Sequence, residues 1–459
     1  MKKTTFAGIV SICMVPALFW STEGSAIPSW ARKYQVSCYM CHSAMPQRNA
    51  VGEAFKNNGY RMPANAEAAF TKQKDVKIGT ADWASGLTTP VSGTFPQFDP
   101  LSVVISSTLV SYKEASYKST GVLNKKEEFT YNAANGASLF YGATLGEHIS
   151  VFGDVTGFGS APTAEVDTES GAKVSGKASF DYKVSSSIRA VYQFTPGFYL
   201  ALGNNYSPAG NSAWNGTSIP GVTNVNGVLP APVTYAELNF TRGDVGGYSI
   251  VAGTSMAAKT DTPVVVDRNK IDDILYVRGK VKLIGAGLLS GANGEYGNKF
   301  NGLDNQLVIG GGLSYTHNYY TEVNDPITGI KPTTGFTGNY VGETLVYGCD
   351  IQGVYHDFSV GAAYSRDRDL KLNNFKVEAS YFIYPWLVAK VGYSDIAAAA
   401  SKGTYDEHQP TIVPAIAWFL APNIALTGTY THFTKDRTVD PVTGSTNQDT
   451  IALAVRAGF

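Results

Sequence analysis

Thr450-Ile451-Ala452-Leu453-Ala454-Val455-Arg456-Ala457-Gly458-Phe459 ends the chain in strict alternation. Ile451, Leu453, Val455, Ala457 and Phe459 share one face of a strand, and Ala452, Ala454, Arg456 and Gly458 share the other. Apolar residues on one side with small or charged ones on the other is the pattern of a strand between lipid and an aqueous lumen. A final Phe behind alternate apolar positions also has the form of the C-terminal signal read during outer-membrane insertion.

The same period recurs upstream. Val377, Ala379, Tyr381 and Ile383 oppose Lys376, Glu378 and Ser380, and Leu275, Val277, Val281 and Leu283 oppose Arg278, Lys280 and Lys282. From Val174 to Phe194 one phase holds Phe180, Tyr182, Ile188, Tyr192 and Phe194, and the other Lys177, Asp181, Lys183 and Arg189. That run exceeds the ~10 residues a spanning strand needs, so it is expected to continue beyond the membrane. A soluble sandwich would use strands nearer ~5–6 residues. The fold class is therefore all-β, a transmembrane antiparallel outer-membrane β-barrel.

Short turns are expected at Glu147-His148, Thr195-Pro196-Gly197, Arg242 to Gly247, His356-Asp357, Tyr384-Pro385 and Leu420 to Asn423. Longer polar connections fall near 113–130, 160–173, 208–230, 258–270, 321–341, 396–408 and 434–447. Reading 271–291 as one strand and 292–304 as its connection gives about sixteen strands, an even number as bacterial barrels prefer.

Composition agrees. Charged residues are 16% of 459, against ~25% in soluble proteins. Gly, Tyr and Phe are abundant at 48, 27 and 22. No apolar run beyond the N-terminus reaches the ~18–20 residues of a spanning helix. The net charge of −1 makes nucleic acid an unexpected partner. Met1 to Ala26 reads as a secretory signal peptide: Lys2 and Lys3, an apolar core from Phe6 to Trp20 that contains Cys13, and Gly24-Ser25-Ala26 for cleavage. The expected organisation is 1–26 signal peptide, 27–75 a small α-helical c-type cytochrome segment plugging the pore, and 76–459 barrel.

The chemistry lies in Cys38-Tyr39-Met40-Cys41-His42, the C-x-x-C-H attachment signature of a c-type haem. Two thiols at this spacing reach the two vinyl groups on one porphyrin edge, and the next histidine is placed as proximal iron ligand. A dithiol redox pair has no need of the histidine, and zinc would want a second ligand pair. Pro46 to Gly59 is expected to be a helix with Val51, Ala54 and Phe55 on its apolar face and Gly59 as a left-handed cap. The segment is too short for a core of its own. For the sixth ligand, Met45 leaves from the proximal side and reaches at most ~10 Å, whereas Met62 follows a helix and a turn. Met62 is the candidate, against a barrel histidine or an open position. Arg32, Lys33 and Arg48 are candidate propionate partners, or plain surface cations. Glu165, Asp167 and Glu169, and separately His317, His408 and His432, are candidate metal-attracting groups on the outer side, or ordinary loop residues. The uncharged 208–230 connection is a candidate constriction. Cys349, in phase with Tyr347 and Ile351, is expected to face lipid.

Trp30-Ala31-Arg32, the haem run, a Pro four residues later and Gly52-Glu53-Ala54-Phe55-Lys56-Asn57-Asn58-Gly59-Tyr60 together resemble the fused monohaem cytochrome–porins of iron-oxidising and related bacteria. Met45 stands where members often carry an aromatic. The specific motifs cover about 28 to 62, and the architecture covers the whole chain. The resemblance implies one covalent haem c on Cys38, Cys41 and His42, extracellular Fe(II) as electron donor and a periplasmic c-type cytochrome as acceptor. Extracellular metal reduction by reverse flow, and a diffusion porin with a haem-bearing plug, are the alternatives.

Overall fold

A computed structural model describes residues 29–34, 36, 40–44, 47–63, 75–78, 93–96, 101–119, 122–131, 136–145, 147–158, 163–167, 173–174, 183–204, 233–257, 273–292, 294, 296–298, 303–320, 340–368, 373–397, 408–421, 424–434 and 448–458. The expected signal peptide (1–26), Cys38, Met45, Pro46 and the 208–230 connection lie outside the described residues.

Sixteen antiparallel strands close on themselves. They are β1 (Leu101–Ser119), β2 (Gly136–Leu145), β3 (Ile149–Phe158), β4 (Lys183–Thr195), β5 (Phe198–Asn204), β6 (Val233–Arg242), β7 (Val245–Ala257) and β8 (Asp273–Ala286). The ring continues with β9 (Gln306–Tyr320), β10 (Tyr340–Tyr355), β11 (Phe358–Asp367), β12 (Asn373–Tyr384), β13 (Leu387–Ala397), β14 (His408–Ala421), β15 (Ile424–Phe433) and β16 (Gln448–Gly458). β1 joins β2 through Leu101–Ser106 and meets β16 along Val104–Ala115, which closes the ring. Closure leaves no unpaired edge, the condition for strands to cross hydrocarbon.

Side chains follow the alternation. Leu275, Val277, Val281 and Leu283 on β8, Tyr381 and Ile383 on β12 and Ile451 on β16 (56% exposed) point outward, while Arg278, Lys282, Lys376 and Glu378 are buried inside. Outside, near the short-turn rim, Tyr192, Phe194, Phe198, Phe240 and Tyr248 form a continuous row with neighbouring centroids 4.9–6.2 Å apart. Tyr384 stacks on Trp386 at 5.1 Å. Aromatic residues flanking an apolar band mark the membrane–water boundary. This is a transmembrane barrel of the outer-membrane type. Cys349 is exposed on the outer face, as its phase predicts.

Two expectations need correction. β8 stops at Ala286 rather than running to residue 291, because Gly285 takes φ +113° and residues 287–290 turn away. The connection that follows folds back on the barrel: Asp304 Oδ2 accepts from the Ala286 amide at 2.5 Å and pairs with Lys282 Nζ at 2.9 Å. Much of 113–130 and 160–173 is strand rather than loop. β1 continues through Ser119 and returns as Val122–Tyr131, which pairs with Thr163–Asp167. Beyond the apolar band this extension still satisfies its backbone groups through the ladder. The strand count is unaffected.

The remaining described sheet is small. Asp75–Ile78 pairs with Gly93–Pro96 ahead of the barrel, His42–Ala44 pairs with Gln47–Arg48, and Tyr296–Asn298 pairs with Leu303–Asp304.

Candidate functional site

The described residues between 29 and 63 pack on the inner wall at the short-turn rim, the periplasmic side in barrels of this type. Their partners are inward residues of β2–β5 and β8 together with the 287–305 connection, so the segment is a plug.

Two helices build it: α1 (Ser29–Tyr34) and α2 (Ala50–Asn57). The expected start at Pro46 is too early. Asn49, extended at φ −85°, ψ −174°, is the N-cap, and its Oδ1 accepts from the Gly52 amide at 3.0 Å. Residues 47–48 are used by the hairpin with 42–44, which pairs His42 with Arg48. The C-terminus fits the sequence reading. Gly59 is left-handed at φ +66°, the Tyr60 amide donates to Phe55 O at 2.9 Å, and the Gly59 amide donates to Lys56 O at 3.0 Å. The rings of Tyr60 and Phe55 meet edge-on at 6.1 Å, the hydrophobic contact that accompanies a Schellman cap.

Cys41 and His42 lie against the first turn of α2, and both are half-buried. The Asn49 amide donates to Cys41 O at 3.0 Å. A Cβ at Gly52 would fall onto that carbonyl, so only glycine allows so close an approach. Phe55 of the same helix joins Tyr34 and Met62 (3% exposed) in a buried cluster packed by Trp30, Val36 and Tyr60. Trp30 meets Phe55 at 5.4 Å, and Tyr34 meets Phe55 at 5.9 Å. Such pairs add ~0.5–1.5 kcal/mol each beyond area burial.

The plug is tied to the barrel by polar contacts that replace the core it lacks. Glu53 is held between Lys280 of β8, in a short ion pair, and Arg48 at 3.2 Å. Lys33 donates to Thr144 Oγ1 of β2 while lying over the rings of Tyr34 and Trp30 at 5.0 and 5.9 Å. Arg61 Nη2 donates to Ile149 O at 2.7 Å, and Gln193 Nε2 donates to Asn58 O at 3.0 Å. Tyr60 stacks on Phe152 of β3 at 5.6 Å. The 287–305 connection clasps the other flank: Asn57 and Asn58 Nδ2 donate to Leu288 O and Leu289 O, each at 2.9 Å. Leu288 and Leu289 amides in turn donate to Gly246 O and Gly243 O.

Charge in this patch is strongly perturbed. Burial alone would raise the Glu53 carboxyl, but Lys280, Arg48 and Lys56 outweigh it and hold the group well below the usual carboxylate range. Burial, reinforced by the Arg48 charge and only partly opposed by Glu53, pulls the Lys56 ammonium down to about 7.

The structure thus braces Cys41 on α2 at Gly52, pairs His42 with Arg48 in the hairpin, and packs Met62 with Tyr34 and with Phe55 of that helix. The two candidate propionate cations it describes are engaged as anchors, Arg48 with Glu53 and Lys33 with Thr144. The side chain of Arg32 lies outside the described residues, as do those of His317 and His408 and of the acidic run 165–169. His432 faces outward and pairs with Asp449 Oδ2 at 2.8 Å, an oxygen that also accepts from Tyr430. Among the described residues no three His, Cys, Asp or Glu side chains gather as a metal site. Sequence reading missed Lys280, Arg61 and the 287–305 clasp; only the inward phase of Lys280 pointed to it.

The donor set fits a c-type haem. A thiol and an imidazole follow one another on a chain pressed against α2 at a glycine, and the same helix carries Phe55 into the buried cluster with Tyr34 and Met62.

No family model matches the chain, and no curated protein matches it. Solved outer-membrane barrels resemble it. A loop L8 deletion mutant of OmpT, an outer membrane protein of Vibrio cholerae, has a TM-score of 0.45 at 12% identity over 78% of this chain and 98% of that one. Salmonella typhi OmpF in complex with daunomycin has a TM-score of 0.43 at 9% identity over 80% and 98%. A mutant Rh. blastica porin has a TM-score of 0.36 at 8% identity over 78% and 100%. The architecture itself rests on the strand pairing described above.

Proposed function

We propose that the chain is an outer-membrane electron conduit, with one c-type haem held by Cys38, Cys41 and His42 and with Met62 as second axial ligand. Extracellular Fe(II) is the donor and a periplasmic c-type cytochrome the acceptor. The observation that carries this reading is the seating of Cys41 and His42 on a segment anchored inside the periplasmic mouth of the barrel. When bound, haem supplies reversible one-electron chemistry. The chain supplies the rest. Gly52 lets α2 brace Cys41, and Trp30, Tyr34 and Phe55 exclude water. A Met ligand favours a higher potential than a second His. Glu53, Lys280 and the asparagine clasp fix the plug so that its distance to either side is constant. The apolar band of ~25 Å is more than one haem can wire, so the donor reaches the haem through the lumen and the acceptor docks at the periplasmic mouth.

The test uses full-length protein matured with the c-type haem machinery and mixed with Fe(II) in a stopped flow. Covalent haem with rapid appearance of the reduced absorption bands is expected, and Met62→Ala should lower the potential. Absence of covalent haem, or no reduction by Fe(II), would sink the proposal.

A second reading, a diffusion porin with a haem-bearing plug, draws support from β15 and β16. Ala425, Thr427, Thr429, Ala452 and Ala454 face inward there, all small and only half-buried. A large open-channel current from the reconstituted protein would favour it.

A further inference from the structure

With Lys33 and Arg48 engaged as anchors, the plug still carries two donors that no group of the chain receives. The Trp30 indole Nε1 is buried and has no hydrogen-bond partner. Lys56 has no hydrogen bond or ion pair among the described residues. Three residues after Glu53 on α2, it stands where a lysine ordinarily pairs with a glutamate. That carboxylate is already taken, however, with Oε1 on Lys280 and Oε2 on Arg48.

Helix geometry gathers these donors around one patch. Gly52, Phe55 and Lys56 stand at i, i+3 and i+4, so they share a face of α2. Cys41 lies on that face at Gly52, and the Trp30 ring meets Phe55 edge-on at 5.4 Å. Lys56 follows one turn further along the axis, ~6 Å, and is half-buried rather than enclosed. The charges around it are Arg48 on the plug, Lys280 of β8 and Arg189 of β4, against Glu53 alone. An indole N–H and an ammonium can only donate, so their common partner must be an acceptor, and the surrounding cations favour an anionic one. A buried donor left without an acceptor is costly. Haem brings two such acceptors, the propionates on the edge of the ring away from its thioether bonds.

Resting on the haem reading, we propose that Trp30 and Lys56 seat the haem propionates. Trp30 Nε1–H donates to a propionate oxygen, and the Lys56 ammonium pairs with a propionate carboxylate. Cys41, braced at Gly52, fixes the other edge of the ring. One face of α2 thereby sets how the haem lies in the plug. Both are positioning residues, and neither touches the iron.

The experiment is a spectroelectrochemical titration of full-length protein matured with covalent haem, repeated over a range of pH. Haem per barrel is read as pyridine haemochrome. In the wild type the midpoint potential should fall through a step where the propionate ionises. Lys56→Met and Trp30→Phe should each move that step up by about one pH unit or more, because an opposite charge or a donor that favours the ionised form is lost. Lys56→Arg should leave the step in place. Should Trp30→Phe fail to load haem, the two Lys56 variants decide. A loaded Lys56→Met barrel with an unmoved step, or an equal movement in Lys56→Arg, would overturn this seat and leave the haem reading standing. A wild type without covalent haem would overturn both.

Discussion

A methyl group at position 52 would meet the Cys41 carbonyl oxygen, and neither backbone can yield without moving the residues that carry the thiol and the imidazole. Gly52→Ala is therefore expected to cost ~1–3 kcal/mol of plug stability, as overpacking does. It should also cut the yield of covalent haem, read as pyridine haemochrome per barrel, while leaving heat-modifiable mobility unchanged. Full haem loading in this variant would show that the approach of α2 to Cys41 is dispensable. Glu53 is a second residue on which several others depend. It is 3% exposed and faces three cations, so its charge is held by neighbours rather than by water. Local sequence made Gly52 and Glu53 look like ordinary helical residues, because what constrains them arrives from elsewhere in the chain.

Among the elements, the strands were legible and the clasp was not. Ile451, Leu453 and Val455, or Leu275 and Val277, declare their face because lipid tolerates nothing else there, and that demand is written with period two. Gly59 declared the end of α2 because a left-handed residue is needed to finish the turn. Lys280 and Glu53, by contrast, are 227 residues apart, and no local pattern links them. The same holds for Asn57 and Asn58, which read as a polar helix end yet hold the carbonyls of Leu288 and Leu289. Removing one partner of a buried hydrogen bond costs ~1–3 kcal/mol. Asn57→Ala with Asn58→Ala should accordingly loosen the 287–305 connection, seen as faster protease cleavage within it and no change in barrel mobility. Unaltered cleavage would mean that Asp304 and the Leu288 and Leu289 amides hold the connection without the asparagines.

For the molecule as a whole, plug and barrel should respond differently to pH. The folded Glu53 carboxyl lies below its unfolded value of ~4.3, so its contribution is complete above that value and is lost only as pH falls through the depressed folded value. Docking should therefore persist at pH 4. Lys56 works in the other direction: folded, it releases its proton near 7, whereas unfolded it keeps it to ~10.4. Between these values the unfolded segment binds more protons, so docking strengthens as pH rises from 7 towards 10. Thermal melts followed by Trp30 emission, with Trp30→Phe as the blank, should show this rise, and Lys56→Met should flatten it. An equal slope in Lys56→Met would assign the effect to another group. The polar and ring contacts described between the plug and the wall fall on β2, β3, β4, β8 and the connection just after β8, so these parts of the berth precede the last eight strands in the chain. The last eight strands then close the ring around a seat that the preceding chain already specifies.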